Sequence, residues 1–258
     1  MSDTVLQDFN DGVLTLTLNR PAKKNAFNTE QWLALADAFD QARENEDVGV
    51  VVMTGAGNDF SSGQDLGELA AGRPEGESPY RTLERSMMAF DKPLIGAAKG
   101  IAVGGGATTL FFSDVLYVGE SLRMRLPFVS LGMAPEFASS FLLQQNIGAQ
   151  RAAELMLTAE WIDADKALEF GIARAKFSDD ELLAKAQEKA AEMAQWPVNG
   201  LRETKKCLMV WRQAHIQATL EQEHEAMTKQ AGSPENVEAI MAFIEKRKPN
   251  FKNLKKNK

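Results

Sequence analysis

Cysteine is almost missing from this chain. Cys207 is the single one in 258 residues, so no disulfide can close within it, and a reducing compartment is expected. Histidine is nearly as scarce. His215 and His224 are the only two, and no Cys/His cluster has metal-ligand spacing. Both fall late in a long polar-apolar helical pattern and read as surface or packing residues of that helix. No apolar run approaches the roughly 20 residues that span a bilayer. Basic residues do not dominate: 29 Lys and Arg stand against 36 Asp and Glu, a net charge of -7. That argues against a nucleic-acid partner, although a local basic patch would serve a small anionic ligand. Met1-Ser2-Asp3-Thr4 shows no basic region followed by an apolar run, and Lys256-Asn257-Lys258 is not a peroxisomal address. A cytoplasmic location is the expectation.

What is present is enough hydrophobic content, 44%, for one substantial core with or without a helical extension. Val5 to Phe9 and Val13 to Leu18, joined by Asn10-Asp11-Gly12, predict a hairpin. Asn28-Thr29-Glu30-Gln31 predicts a helix cap with a reciprocal glutamine, followed by Trp32, Leu35, Ala36 and Phe39 at helical spacing. Val50 to Met53, Pro93 to Ala98 and Val115 to Val118 predict buried strands. Tyr80 to Phe90 predicts a helix, Gly72 to Gly76 a surface loop, and Ala107 to Phe112 a helical stretch. Past Ala138 the pattern is mainly helical, with helices over Asp163–Phe170, Asp180–Gln195, Leu201–Gln230 and Pro234–Lys246, then a basic, solvated tail. The order of elements points to an α/β core.

Three segments carry the chemistry. Phe60-Ser61-Ser62-Gly63-Gln64-Asp65-Leu66 is a loop in which Asp65 can cap a helix starting near Leu66. Gly104-Gly105-Gly106 sits between a strand and a helix, where backbone N–H groups are exposed at the positive end of the helix dipole. A bare tight turn is the plainer account of that triplet. A dinucleotide site, with Glu120 as its acidic residue, lacks the spaced G-x-G-x-x-G. The turn at Ser62-Gly63-Gln64 offers a second N–H, and two converging donors would make an oxyanion hole. The third segment, Leu131-Gly132-Met133-Ala134-Pro135-Glu136-Phe137, sets a carboxylate among apolar residues.

These segments, with Asn19-Arg20-Pro21, Asn25-Ala26, Leu157-Thr158, Ala164, Gly171 and the run Phe243 to Pro249, resemble the crotonase (enoyl-CoA hydratase/isomerase) superfamily over nearly the whole chain. The resemblance implies an α/β fold: a spiral of ββα units over residues 1–198 and a C-terminal helical region, 199–258, that builds a homotrimer or a dimer of trimers. It implies an acyl-CoA thioester as ligand, with coenzyme A part of the substrate and no further cofactor or metal. It implies that the N–H groups of Gln64 and Gly105 hold the thioester oxygen. Lys23, Lys24, Ala26, Ser62, Gly63, Asp65 and Leu66 are then expected to border CoA, and Phe243 and Lys246 to reach a neighbour's CoA.

The family's hydratases use two glutamates, and the matching positions here are Thr108 and Phe128. Neither can cycle a proton near neutral pH. Glu136 instead lies in a stretch similar to the one carrying the catalytic glutamate of peroxisomal-type Δ3,Δ2-enoyl-CoA isomerases. The plainer account of Glu136 is an acidic residue at a helix N-terminus after proline. The resemblance implies a single-base isomerase in fatty acid degradation. The alternatives are another crotonase enzyme, such as a hydratase with relocated acids or a thioester hydrolase, and a non-catalytic CoA-binding scaffold.

Overall fold

The computed structural model describes residues 2–65, 67–68 and 78–254. The hairpin forms as its turn sequence demands. β1 (Val5–Asn10) pairs antiparallel with β2 (Val13–Leu18), and both loop residues, Asp11 and Gly12, take positive φ. Thereafter the main sheet is parallel, in the order β1-β2-β3-β4-β6-β9, with β3 at Val50–Gly55, β4 at Leu94–Ala98, β6 at Val115–Gly119 and β9 at Ala175–Phe177. β3 and β4 are apolar on successive residues because both of their faces are covered. Val51 and Met53 join the larger core, with α1 (Thr29–Glu44) and α2 (Pro79–Ala89). Val50 and Val52 face the other way, against Leu182, Ala186 and Ala190 of α7 (Leu182–Ala194).

A second, smaller sheet was not foreseen from the sequence. β5 (Ile101–Val103), β7 (Arg123–Arg125) and β8 (Trp161–Asp163) are each three residues long, too short to announce themselves by alternation. Ser61 adds a further bridge, beside Ala102. The triple glycine opens α3 (Gly105–Thr108), which tightens at once into a 3-10 turn over Thr109–Phe112. The expected helix of Ala107 to Phe112 is therefore two short pieces. The cap at Asn28 forms, its side chain accepting from Gln31 N–H. Its reciprocal half does not: the Gln31 amide turns to the carbonyl of Thr4 and fastens the start of β1 instead.

The C-terminal half is helical: α4 (Ser139–Ile147), α5 (Ala149–Thr158), α6 (Ala164–Phe170), α8 (Val198–Gln230) and α9 (Pro234–Ile244). α8 starts three residues before the expected Leu201. Part of it folds onto the chain's own core, through Ile216 and Leu220. Another part does not: Leu208, Val210 and Trp211 are exposed, Trp211 at 84%. The start of the tail is exposed, as expected, and Arg247 there is paired with Glu238 and Glu245. Lys255, Lys256 and Lys258 lie outside the described residues, as does the expected loop Gly72 to Gly76. Among the described residues no helix is long and apolar enough to cross a membrane.

One buried cation ties these layers together. Lys92 is fully buried, and its ammonium donates to the carbonyls of Ala42 (2.7 Å) and Asn45 (2.6 Å), at the end of α1. Its own carbonyl accepts from Lys205 of α8 at 2.7 Å, and Lys205 also pairs with Asp114 at 2.9 Å. Burial, and the nearby Arg202, lower the proton affinity of Lys92, so its hydrogen bonds work against a desolvation cost. Lys92→Met should nevertheless destabilise the fold by about 1–3 kcal/mol, because the buried Ala42 carbonyl loses a donor and the Asn45 carbonyl keeps only that from Val48 N–H. Urea denaturation checks this, and a loss below about 0.5 kcal/mol would show that the carbonyls find other partners.

Candidate active site

Two loops meet over the small sheet, and backbone contacts join them. Ser61 N–H donates to Ile101 O at 2.9 Å, and Val103 N–H donates to Ser61 O at 3.0 Å. The approach is so close that a Cβ on Gly63 would stand 2.5 Å from the Val103 carbonyl oxygen and 3.6 Å from the Gly105 nitrogen. Gly63 also has φ +85°, so a side chain there would be excluded on both counts.

On its other side the 59–65 loop is zipped to the 20–28 loop. Phe27 N–H donates to Gly63 O and Asp65 N–H donates to Phe27 O, both at 2.8 Å. In a bridge of this kind the residue between the two bonded groups directs its own N–H to the opposite side. Gln64 is that residue. Among the described residues the N–H groups of Gln64 and Gly105 have no protein acceptor. The pair can therefore accept a negatively charged oxygen. α3 is only four residues long, so the donors here are individual N–H groups rather than the end of a long helix dipole.

Trp32 supports both donors. Its Nε1 donates to the Gln64 side chain at 2.9 Å, its ring stacks on Phe27 at 3.9 Å, and its edge would lie 2.8 Å from a Cβ on Gly105. The same Cβ would lie 3.2 Å from Oε1 of Glu136. Glu136 is thus poised at the glycine whose N–H is free. It is not at a helix N-terminus. Phe137 (φ +57°) and Ala138 (φ +50°) form a left-handed turn after it, and α4 begins only at Ser139.

Enclosure of the Glu136 carboxyl pushes its pKa up to about 7, with the charge of Glu223 adding to the effect. The surroundings of Glu136 are therefore not purely apolar, as the sequence implied. Glu84 of α2 and Glu223 of α8 both lie close enough to interact with it or its turn. Glu84 is itself raised to about 8, by burial first and then by the charge of Glu136. Sequence reading missed Trp32, Glu84, Glu223 and His224. The signal for the two glutamates is an acidic residue at an apolar position of its helix, whereas His224 reads from the sequence as a surface or packing residue.

Other expected site residues fall as follows. Lys23 and Lys24 are exposed on the 20–28 loop, and Ala26 is buried there. Ser62 is joined to them through Ser62 N–H to Lys24 O at 2.9 Å. Asp65 does cap the next turn, accepting Gly67 N–H at 3.0 Å, and it pairs with Arg20 at 2.9 Å. Burial alone would raise its carboxyl, but Arg20 and the Gly67 N–H hold it below the ordinary value. Leu66 lies outside the described residues. Phe243 and Lys246 are exposed at the end of α9, which packs on the 3-10 turn Phe128–Leu131, away from these loops in the chain. Thr108 and Phe128 are buried. Among the described residues no group of His, Cys, Asp and Glu could hold a metal ion.

Comparison with known proteins identifies the family. The family described as enoyl-CoA hydratase/isomerase matches residues 8–255. The chain is 34% identical over 244 residues to the 2,3-dehydroadipyl-CoA hydratase of Escherichia coli K12, covering 93% of this chain and 95% of that protein. It is 29% identical over 255 residues to enoyl-CoA delta isomerase 2 of Rattus norvegicus, covering 96% of this chain and 65% of the relative. The crystal structure of an enoyl-CoA hydratase/isomerase from Pseudoalteromonas atlantica T6c superposes with a TM-score of 0.92 at 33% identity, covering 96% of this chain and 99% of that one. The fold is the crotonase fold, and this chain belongs to the enoyl-CoA hydratase/isomerase family.

Proposed function

We propose that this enzyme moves the double bond of a 3-enoyl-CoA to give the 2-trans-enoyl-CoA, with Glu136 as its single acid-base group. The observation that carries this reading is the Glu136 carboxyl at the Gly105 turn, beside two unpaired N–H donors. The ionised carboxylate takes a proton from C2. The electron pair moves onto the thioester oxygen, which the N–H groups of Gln64 and Gly105 stabilise as an enolate. The carboxylic acid so formed returns the proton to C4, and the double bond settles between C2 and C3. A pKa near 7 suits a group that must take and give one proton in each turnover. No net proton, water or electron is exchanged.

The CoA moiety is assigned to the exposed side of the joined loops, near Lys23, Lys24, Ala26, Ser62 and Gly63, with Asp65 and Leu66 at its border. The lysines would meet its phosphates. A scaffold that only binds CoA has no need of a desolvated carboxylate at this turn.

Glu136→Gln keeps the shape and removes the base. Isomerisation, followed by ultraviolet absorbance of the conjugated product, should fall by about 10²–10⁴ while CoA binding changes little. Wild-type kcat/KM should rise with pH through about 7 and then level, because the base works only when ionised. Activity of the glutamine variant within about tenfold of wild type would remove Glu136 from the chemistry.

Hydration with relocated acids is the second reading, and one observation favours it: Glu84 supplies a second carboxyl near Glu136. Against it, both Glu84 oxygens are engaged, one by Phe137 N–H at 3.1 Å and the other by His224 at 2.6 Å. Neither Thr108 nor Phe128 can act as a general acid or base near neutral pH. Crotonyl-CoA should therefore be hydrated far more slowly than a 3-enoyl-CoA is isomerised. Comparable rates would favour the hydratase.

The residues from 199 onward are assigned to assembly. Leu208, Val210, Trp211, Phe243 and Ile244 leave exposed apolar area, and subunit contact would bury it. A homotrimer or dimer of trimers is expected by light scattering, with Phe243 and Lys246 near a neighbour's CoA. A fully active monomer at nanomolar concentration would contradict this.

A further inference from the structure

The turn that carries Glu136 is costly to form. Phe137 and Ala138 are consecutive non-glycine residues in the left-handed region, and both are fully buried. Such a turn persists only where its surroundings hold it. Two buried carboxylates do so. Glu84 of α2 accepts Phe137 N–H. Glu223 of α8 accepts both the N–H (3.0 Å) and the hydroxyl (2.5 Å) of Ser140, and the Ala138 N–H also faces it. The next residue on α8, His224, is hydrogen-bonded to Glu84 at 2.6 Å. Two adjacent residues of the C-terminal helix thus grip the turn from behind, one directly and one through α2.

We propose that Glu223 is a positioning residue for Glu136, so that the docking of α8 on α4 sets the placement of the base. This rests on Glu136 being the base.

A neutral side chain could hold the same N–H groups, yet a carboxylate is buried here. Among the described residues one of its oxygens, Oε2, has no hydrogen-bond partner. Burying it raises the Glu223 carboxyl, while its bonds to Ser140 and Ala138 lower it. Glu223's charge raises Glu136, and the charges of both raise Glu84.

Other groups about this turn are accounted for. From α2 come Tyr80, whose hydroxyl is raised by burial, and Arg81, which lowers Glu84 slightly. From α8 come His224 and His215, the latter stacked on Phe141 of α4 at 5.4 Å. α1 contributes only the Trp32 ring, stacked on Phe137 at 5.7 Å.

The test compares pH profiles of kcat/KM for Glu223→Gln, Glu84→Gln and wild type. Glu223→Gln keeps an acceptor for Ser140 and removes the charge. Its acid limb should move to lower pH, so that at pH 6 it retains about threefold more of its plateau activity than wild type does. KM should change little, since Glu223 bonds Ser140 behind the turn and not the loops assigned to CoA. Glu84→Gln should leave the acid limb in place. Glu223→Ala removes the grip as well, and its plateau kcat should fall by about tenfold or more. A Glu223→Gln profile that overlays wild type, with Glu136→Gln inactive, would overturn this proposal alone. An active Glu136→Gln would instead overturn the assignment of the base. Thermal melts of Glu223→Gln close to wild type would show that the shift is not a folding defect.

Discussion

The close approach of the Gly63 loop to the Val103–Gly105 backbone is the constraint on which the rest of the site depends. With 2.5 Å between a Gly63 Cβ position and a carbonyl oxygen, no side chain can enter. The two main chains can therefore meet, and their N–H groups can share one small volume. The 20–28 loop fixes the outer side of this junction, using Phe27 to bond on both sides of Gln64. Glu136 closes the inner side, near enough to Gly105 that a Cβ there would be 3.2 Å from its oxygen. Donors and base thus come from three separate stretches of chain, registered against each other by main-chain hydrogen bonds. Main-chain contacts hold geometry to a few tenths of an ångström, and catalysis by positioned dipoles needs that tolerance.

Charge is handled differently from geometry. Three carboxylates, Glu84, Glu136 and Glu223, are packed around one left-handed turn, and burial raises all three. A structure built for stability alone would gain by making them apolar. Glu84 and Glu223 recover part of that cost as hydrogen-bond acceptors for the turn, and among the described residues Glu136 alone has no such bond. It is the carboxylate left free to exchange a proton.

The sequence made the hairpin, the buried strands and most helices legible, because these rest on local rules. Asn10-Asp11-Gly12 has the turn chemistry of a two-residue loop, and Val50 to Met53 is apolar on both faces. Gln64, Gly105 and Glu136 were legible only through their likeness to a family, since each taken alone has an ordinary structural explanation. Gln31 failed as a capping partner because a buried carbonyl, that of Thr4, competed for its amide. The three-residue strands β5, β7 and β8 carry too few residues for a periodic signal. Glu84, Glu223 and His224 were invisible for another reason. They are 52, 87 and 88 positions from Glu136 in the sequence (136 − 84, 223 − 136 and 224 − 136), and only tertiary packing makes them neighbours.

That separation bears on how the C-terminal helix serves the enzyme. α8 is 33 residues long, and few of its side chains are buried, among them Lys205, Ile216, Leu220 and Glu223. Ile216 and Leu220 supply apolar contact with the core, while Lys205 and Glu223 meet polar groups at two distant places, the Lys92 staple and the Glu136 turn. A helix added only to enclose a core would use apolar residues at all four positions. Here half of its buried positions are charged, and each charge bonds a backbone group outside the helix, the Lys92 carbonyl and the Ser140 N–H. The exposed apolar face at Leu208, Val210 and Trp211 lies between those two anchors. That face and the glutamate that holds the Glu136 turn thus belong to one helix, and a load on the first is carried to the second by a single rigid element.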